Sequence, residues 1–301
     1  MDDNQYTSDA AASKPEAPSP SFRRGNFRLS SFSAGAVTWH WHSEAVLLRA
    51  TRGRILCRSG ATQADVGSGE CLFVNAGAIH MYAAGPGCDE ADAETLLFTP
   101  AFIADPASEA YARCVAPLAD CQAIPLVALN GPLPWQAEAR RLSGEVFSID
   151  PDRFGSELLC RGLLTELWLL IVENTGAARA ARTENQSVND QRARRMLAFI
   201  QAHFSDDLTI DAIAGSAGIS RSECFRCFKR AISKKPIEYL TEFRIERATD
   251  MLLNTDMSIT DICFRCGFSS PSYFGKVFRG ITGLSPRSYR QRRERLTGAR
   301  K

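Results

Sequence analysis

Apolar and polar positions in the C-terminal third of the chain follow one pattern twice. Residues 208–240 and 257–290 each show apolar positions at helical spacing, then a glycine, then a second stretch of helical period. Up to the glycines the copies align at an offset of 49, which places Gly218 on Gly267, and beyond the turn the offset is 50. One residue inserted in the second turn explains the change. Two copies with a period near fifty indicate a duplicated module rather than a solenoid.

Each module predicts a helix, a tight turn and a second helix. Four residues stand where a helix begins: Thr209, Ser220, Ser258 and Pro271. Ser220 and Glu223 have the spacing of a capping box. Gly218 and Gly267 end the first helix of each module, because glycine readily adopts the left-handed conformation found at helix C-termini. Between the modules, residues 236 to about 253 begin with proline and keep helical period, which predicts a joining helix roughly 27 Å long.

The second helix of each module has an apolar back and a small, polar and cationic front, which is typical of the recognition helix of a helix-turn-helix. The candidate DNA-contacting residues on these fronts are Arg221, Ser222, Phe225, Arg226 and Lys229, and Ser272, Gly275, Lys276 and Arg279. We expect the two recognition helices roughly 34 Å apart, one turn of B-DNA. The planar guanidinium of Arg226 is expected to form a bidentate contact with a guanine, and a phosphate contact is the alternative. Lys276 is expected to contact a phosphate.

This arrangement resembles the AraC/XylS family of bacterial transcription regulators. The resemblance rests on the two modules, the joining helix and the closing stretch ITDICFRCGFSSPSYFGKVFRGITGLSPRSYR at 259–290, and it covers about the last hundred residues. It implies sequence-specific binding of double-stranded DNA that activates, or sometimes represses, transcription. RNA polymerase is then an expected partner.

The N-terminal half has a different pattern. From Phe22 to about Leu133, short β-prone runs alternate with glycine, which predicts an all-β barrel or sandwich. Two stretches, GAVTWHWH at 35–42 and GECLFVNAGAIH at 69–80, resemble the two motifs of cupin barrels, the sensor domain of many AraC-type regulators. We therefore expect an α+β protein: a cupin-like β-barrel with a helical dimerisation segment, then an all-α domain of two helix-turn-helix modules joined by a helix.

The candidate effector-binding residues are His40, His42 and His80. In cupin enzymes such histidines bind a metal together with a glutamate, but here the position of that glutamate falls near Val46, and Glu44 lies two residues early. A pocket for a small polar effector such as a sugar is therefore favoured, with no cofactor, and a zinc-type ion held by three imidazoles is the alternative. Alternation along the strand puts Trp39 and Trp41 on the opposite face, in a core.

The segment 134–174 is predicted to be helical, with a wide apolar face: Leu159, Leu163, Leu167 and Leu170 form one stripe, and Leu164, Trp168 and Ile171 lie beside it. So wide an apolar face predicts that it pairs two subunits of a homodimer, as in similar regulators, and packing on the protein's own barrel is the alternative. The expected organisation is a disordered tail at 1–21, a cupin-like sensor domain at 22–133, a dimerisation segment at 134–174, a linker at 175–189 and a DNA-binding domain at 190–296.

Charge separates the two halves of this 301-residue chain, whose net charge is only +2. Residues 190–301 carry 21 Lys and Arg against 12 Asp and Glu, whereas residues 1–189 carry 15 against 22. A basic C-terminal half matches a phosphate backbone. The acidic start lacks the apolar core of a signal peptide, and the longest apolar run, 163–172, is too short to span a bilayer, so we expect a cytoplasmic protein without a membrane partner.

The ten cysteines are expected to be reduced, and the two CFRC stretches at 224–227 and 263–266 invite a zinc interpretation. The internal repeat argues for packing instead, because these cysteines align with apolar residues of the other module. The favoured function is a ligand-responsive regulator and not an enzyme. Two alternatives stay open: a metal-dependent cupin enzyme fused to a DNA-binding domain, and an effector-independent DNA binder.

Overall fold

The computed structural model describes residues 22–32, 35–88, 90–176 and 184–291, and only the backbone of 184–187 and 190. The expected tail at 1–21, part of the expected linker and the chain from 292 onwards lie outside the described residues. In the ranges described, no helix combines the length and the apolar character needed to cross a bilayer.

The N-terminal part of the chain forms two antiparallel β-sheets. Its strands are β1 (Phe22–Arg28), β2 (Ala36–His40), β3 (Ala45–Arg52), β4 (Arg54–Ser59), β5 (Thr62–Gly67), β6 (Cys71–Val74), β7 (His80–Ala84), β8 (Asp92–Phe98) and β9 (Leu126–Ala128). One sheet has the order β1-β8-β3-β6-β9 and the other the order β2-β7-β4-β5. The β-rich sensor fold expected from the sequence is confirmed.

Strand β3 shows how the two-layer core is built. Val46 and Leu48 face the other sheet and pack with Ile55 and Tyr82, whereas Leu47 on the opposite face enters a second core. All three β3 residues are fully buried. Because successive side chains of a strand point to opposite faces, a strand buried on both faces is apolar at every position.

Two helices cover the outer face of the five-stranded sheet: α1 (Pro134–Ser148) and α2 (Ser156–Thr175). The stripe of α2 that is buried against the barrel consists of Leu164, Leu167, Trp168 and Ile171. Trp168 anchors it, because its indole ring lies edge-on to Phe73 at 5.7 Å and its Nε1 donates to the Cys114 carbonyl at 3.2 Å.

Most of the wide apolar face predicted for α2 is buried against the barrel. The predicted stripe itself is only partly buried: Leu167 is fully buried, and Leu163 and Leu170 are half-buried and pack against the same core. Leu159 is 41% exposed, and the neighbouring Leu158 is exposed as well. The helix packs on its own barrel with one face and leaves leucines exposed on another, so pairing of two subunits stays a prediction.

The C-terminal part consists of helices. They are α3 (Glu184–Ala202), α4 (Ile210–Ser216), α5 (Arg221–Ile232), α6 (Pro236–Asn254), α7 (Ile259–Arg265) and α8 (Pro271–Thr282). Helices α4 and α5 form the first helix-turn-helix, α7 and α8 the second, and α6 joins them. The predicted joining helix ends one residue later than expected, and its 19 residues span about 28 Å.

The predicted helix starts coincide with side-chain caps. Thr209 and Ser258 each accept a hydrogen bond from the backbone N–H three residues on, at 3.2 and 3.0 Å. Ser220 accepts from the Glu223 N–H, but the Glu223 carboxylate pairs with Arg226, so the capping box has only its serine half. The turn at Gly267 requires glycine, because its φ is +75° and a Cβ would lie 2.7 Å from the Phe204 carbonyl oxygen.

The cysteines of the two CFRC stretches are core residues, as the repeat predicts. Cys224 and Cys227 lie in the core of the first module, and Cys263 and Cys266 in that of the second. Burial raises the pKa of the Cys224 thiol to about 11 and that of Cys266 to about 12, so both stay protonated at neutral pH. All ten cysteines are free thiols.

Candidate effector site and DNA-binding surface

Three histidines meet where β2 pairs with β7. The ring of His40 lies 4.2 Å from that of His80 and 5.7 Å from that of His42, and the rings of His42 and His80 are 5.1 Å apart. His80 is fully buried and His40 is nearly so. The structure thus brings together all three predicted effector-binding residues, although what they bind stays a prediction.

A β-bulge in β2 sets the direction of these side chains. Val37 pairs with Tyr82 and His40 pairs with His80, so two residues of β2 stand opposite the single residue Met81. A bulge of this kind re-aims side chains at the edge of a site. Val37 and His40 therefore point into the barrel, whereas the two residues between them face outwards, towards the C-terminal helices.

Backbone carbonyls fix the protonation pattern of the three imidazoles. The Nδ1 atoms of His40, His42 and His80 lie 2.8, 2.9 and 2.9 Å from the carbonyl oxygens of Thr38, Glu44 and Ala78. A carbonyl can only accept, so each Nδ1 carries the proton and donates it. Each Nε2 then presents a lone pair, and all three Nε2 atoms are buried without a hydrogen-bond partner among the described residues.

Burial also keeps the imidazoles neutral. Desolvation lowers the pKa of His40 and of His42 to about 4, with smaller effects from neighbouring charges and hydrogen bonds. The pKa of His80 is lowered well below its usual value, by desolvation first and then by the two neighbouring imidazoles. At neutral pH the site therefore presents three uncharged nitrogen donors that share one small space.

The carboxylate expected in cupin metal sites does not join the cluster. Val46, which stands near the expected position, is buried between the sheets. The buried Glu44 lies on the Nδ1 side of His42, with its carboxylate 3.7 Å from that nitrogen, and it accepts a hydrogen bond from the Ser43 hydroxyl at 3.1 Å. Glu44 thus lies next to Nδ1 of His42 and not next to the three Nε2 atoms.

The outward-facing residues of this strand contact the DNA-binding helices. Trp39 is 3% exposed, and with Ile79 it packs into the core of the first helix-turn-helix module, against Met196 of α3 and Tyr239 of α6. The sequence predicts that Trp39 lies in a core, and it does. The core, however, is shared by the two halves of the chain, which no local signal in the sequence indicates.

Polar contacts reinforce this shared core. The Tyr239 hydroxyl donates to the Trp39 carbonyl at 3.1 Å, and the Thr38 hydroxyl donates to the Glu246 carboxylate at 2.5 Å. The guanidinium of Arg194 lies 5.5 Å from the centre of the Trp41 ring. The backbone and side chains flanking His40 are therefore bound directly to helices α3 and α6.

The predicted DNA-contacting residues form exposed faces of α5 and α8. Every one of them is exposed except Gly275, which is half-buried. Two of the cations are paired within the domain, since Arg226 binds Glu223 and Arg221 lies 3.3 Å from Asp211. Tyr273, 56% exposed at the start of α8, belongs to the same face and was not predicted. Its position three residues before Lys276 is the signal that could have identified it.

Two family models match the chain. A model described as an AraC-like ligand binding domain matches residues 31–167, and one described as a helix-turn-helix domain matches residues 213–292. Between them they cover both halves of the structure, the histidine-containing barrel and the two recognition helices. The chain belongs to the AraC family of transcriptional regulators.

Individual AraC-family relatives agree with this assignment. YdeC of Bacillus subtilis (strain 168), an uncharacterized HTH-type transcriptional regulator, is 26% identical over 260 residues, 85% of this chain and 87% of YdeC. The transcriptional activator RhaS of Escherichia coli O1:K1 / APEC is 34% identical over 111 residues, 37% of this chain and only 40% of RhaS. Fatty-acid-bound ToxT from Vibrio cholerae strain SCE256 shares the fold, with a TM-score of 0.51 at 12% identity over 91% of this chain and 96% of ToxT.

The sensor domain of this AraC-family regulator also reaches the first recognition helix. At the β4–β5 turn, Gly60 lies so close to the end of α5 that a Cβ there would be 3.3 Å from the Arg230 carbonyl oxygen. Ala61 of the same turn lines a cleft of about 910 Å³ together with Arg226 and Lys229. Two of the predicted DNA-contacting cations therefore share a cleft with the sensor domain.

Proposed function

We propose that this AraC-family protein is a transcriptional activator controlled by a small effector that binds at His40, His42 and His80. One observation carries the proposal: strand β2 contributes His40 to the histidine cluster on one side and contacts the DNA-binding helices on the other. A ligand that moves His40 acts on Thr38 and Trp39, the residues bonded to α6. Ligand binding and the arrangement of the DNA-binding domain are then linked, each affecting the other by the same free energy.

On the DNA side, the two modules are proposed to read successive major grooves with α5 and α8. The exposed guanidinium of Arg226 suits a bidentate contact to guanine, once it is shared with or released from Glu223. The exposed ammonium of Lys276, at the equivalent place in α8, suits a phosphate. Arg226→Ala is expected to relax base preference by roughly 1–3 kcal/mol at one position. Lys276→Ala is expected to weaken binding to all sequences and to reduce the salt slope by about one.

Binding selections on randomised operators test this proposal, with Arg140→Ala as the matched control, because Arg140 is an exposed arginine on helix α1, outside the DNA-binding domain. The control is expected to leave both base preference and salt slope unchanged. An Arg226→Ala protein that keeps the wild-type preference at every position would refute the base contact. Absence of salt-dependent binding to any fragment of the adjacent promoter would refute DNA binding by these modules.

The sequence favours a small polar effector such as a sugar and leaves an ion held by the three imidazoles as the alternative. Calorimetry with a panel of sugars and other metabolites tests it, and His40→Ala with His80→Ala is expected to abolish the response while DNA affinity is retained. A response retained by that variant would place the effector elsewhere. No response of the wild-type protein to any compound would favour the effector-independent DNA binder, and turnover of a compound would favour the enzyme.

Activation, subunit pairing and location belong to the same proposal. RhaS is named an activator, and this supports activation through contact with RNA polymerase. The exposed Leu158 and Leu159 of α2 support a homodimer formed through that helix. We place the protein in the cytoplasm, where its DNA is. The proposed domain limits are those expected from the sequence, with the sensor domain at 22–133 and the DNA-binding domain at 190–296.

A further inference from the structure

We propose that His40, His42 and His80 bind one divalent transition-metal ion of the zinc type through their Nε2 atoms, and that this ion acts as the ligand of the sensor domain. The regulatory half of this inference rests on the proposed function, whereas metal binding itself is measured on the protein alone. Within the described part of the chain, these three residues are the one group of His, Cys, Asp and Glu side chains whose donor atoms converge closely enough to hold an ion.

The distances fit after a small closure. The candidate ligand atoms all lie within 4.8 Å of one another. Tetrahedral zinc with Zn–N bonds of about 2.0–2.1 Å needs ligand nitrogens roughly 3.4 Å apart. Closure to that distance requires small rotations of the imidazoles about their side-chain bonds. The backbone pairing of His40 with His80 already fixes the two strands that carry them.

The hydrogen bonds of the three imidazoles set the tautomer that a metal ligand needs. A metal-binding histidine usually donates its other ring N–H to a carbonyl or a carboxylate, which sets the tautomer and the ring orientation. All three histidines here donate Nδ1–H to a backbone carbonyl. The three Nε2 atoms are buried and have no hydrogen-bond partner in the described residues, and one ligand nitrogen of each ring lies within 4.8 Å of the others. An ion at their centre would satisfy all three of these buried acceptors together.

The donor set selects the class of ion. Three neutral imidazoles suit Zn²⁺, Co²⁺, Ni²⁺ or Cu²⁺, whereas Mg²⁺ and Ca²⁺ require oxygen ligands. Three protein ligands leave a fourth position for water or for a small anion. The carboxylate of Glu44 lies 3.7 Å from Nδ1 of His42 and brings a negative charge near the site, although it is not one of the proposed ligands. The nearby Arg23, 3.9 Å from Glu44, offsets part of this charge.

A metal ion fits this site better than a sugar does. The Nε2 atoms are inaccessible to solvent and the ring centres are only 4.2 to 5.7 Å apart. That space accepts one ion between the rings, whereas a hexose would have to separate β2 from β7 to reach the same nitrogens. The consequence for regulation follows from the bulge, because drawing His40 towards an ion pulls on the adjacent Trp39 and on its contacts with α6.

The test uses the full-length protein, stripped with a chelator and titrated with Co²⁺ and Zn²⁺. We expect one Co²⁺ per chain with a visible spectrum of four-coordinate cobalt, displaced by Zn²⁺ and not by Mg²⁺. Cobalt bound by cysteines instead would show an intense thiolate charge-transfer band in the near ultraviolet. Loss of an outer-shell partner weakens metal binding by up to roughly 100-fold. Because His42 is proposed as a direct ligand, His42→Asn is expected to weaken Co²⁺ binding by more than that. His203→Gln is the matched control, because His203 is the exposed fourth histidine and lies outside the cluster.

The outcomes separate this inference from the proposed function. His42→Asn is checked for its fold by circular dichroism and for DNA binding, and Ser43→Ala serves as a second variant that leaves all three ligands in place. Wild-type protein that binds no Co²⁺, or binds it equally well in His42→Asn, would overturn the metal site while leaving DNA binding intact. Metal binding without any change in operator affinity would refute the regulatory role alone. Metal binding by a protein that binds no DNA would refute the proposed function and retain the site.

Discussion

One hydrogen bond ties the DNA-binding domain to the strand that carries the histidines. The Tyr239 hydroxyl on α6 donates to the Trp39 carbonyl at 3.1 Å and accepts from the Gln201 amide at 2.9 Å. Tyr239 is 1% exposed, so Tyr239→Phe removes one oxygen atom and leaves the packing of the ring in place. We expect this variant to loosen the docking of the two domains and to leave each of them folded.

The magnitude follows from what the docked state loses. The net contribution of a typical hydrogen bond is about 1 kcal/mol. When the domains separate, the Trp39 carbonyl forms hydrogen bonds with water instead. Loss of the bond from Tyr239 therefore destabilises only the docked state. A change of about 1 kcal/mol corresponds to about a fivefold shift in the docking equilibrium. We therefore expect the fraction of molecules in which β2 is separated from α6, or the rate at which they separate, to increase by about that factor.

Hydrogen exchange of the peptide covering residues 36–42 measures this opening. Tyr289→Phe is the matched control offered by the duplication, since Tyr289 occupies the equivalent position in the second module and packs in a core of C-terminal residues only. Tyr239→Phe is expected to speed exchange in β2 about fivefold, and Tyr289→Phe to leave it unchanged. Equal rates in β2 for both variants would refute a holding role for Tyr239. Faster exchange throughout α4 and α5 would indicate a damaged domain core instead.

Three further outcomes are expected. Cys224→Ala with Cys227→Ala should lower the free energy of unfolding by at most a few kcal/mol through lost packing, with DNA binding retained, as urea titrations and operator binding would show. Glu246→Gln should strengthen domain docking at neutral pH and reduce the dependence of docking on pH, measured by the same exchange assay. Leu158→Glu with Leu159→Glu should convert the proposed homodimer to monomer, which sedimentation measures, while the fold is retained.

The sign of the Glu246 effect comes from its burial. Desolvation raises the pKa of this carboxyl above its ordinary value, against the opposing influences of Arg247 and the Thr38 hydroxyl. A carboxyl with a raised pKa in the docked state favours docking when it is protonated. Docking should therefore weaken as the pH rises through that raised pKa. Asp250 and Glu242 face the same region, and Glu242→Gln is the control, because Glu242 pairs with Lys234.

Contrary results are easily recognised for the other two changes. Stoichiometric zinc in the wild-type protein that is absent from the double alanine variant would contradict the packing role of Cys224 and Cys227. An unchanged sedimentation coefficient for the double glutamate variant would show that the exposed leucines of α2 do not pair two subunits. Both experiments use the full-length chain.

The DNA-binding domain could be predicted almost completely from sequence, because its signals are local. The caps at Thr209 and Ser258 and the turn at Gly267 each depend on a few neighbouring residues, and the duplication reports each of them twice. The pairing of Arg226 with Glu223 is also a local signal, three residues apart on one helix, but Glu223 has the spacing of a capping box with Ser220 as well, and the sequence does not decide between the two partners.

Helix α2 shows where periodicity fails. Its residues are apolar on so much of the circumference that several stripes satisfy the same helical spacing. The choice among them is made by Phe73 and Phe98 of the sheet below, which contact Trp168 and are distant in sequence. The histidine cluster follows from the resemblance of its two motifs to those of cupin barrels and not from a local signal, since β2 and β7 are also far apart along the chain.

The interface between sensor and DNA-binding domain could not be predicted, and the reason lies in one extra residue. Strict alternation in β2 would send Thr38 to the same face as His40, whereas the bulge turns both Thr38 and Trp39 outwards towards α6. The histidine cluster and the interface between the two domains are thereby joined by the peptide unit between Trp39 and His40. A ligand shifts such an interface only through its different affinity for the docked and undocked states. A tenfold difference is worth about 1.4 kcal/mol, which is comparable with the single bond from Tyr239 to Trp39. A ligand at His40 therefore needs only a modest preference to control how the recognition helices are held.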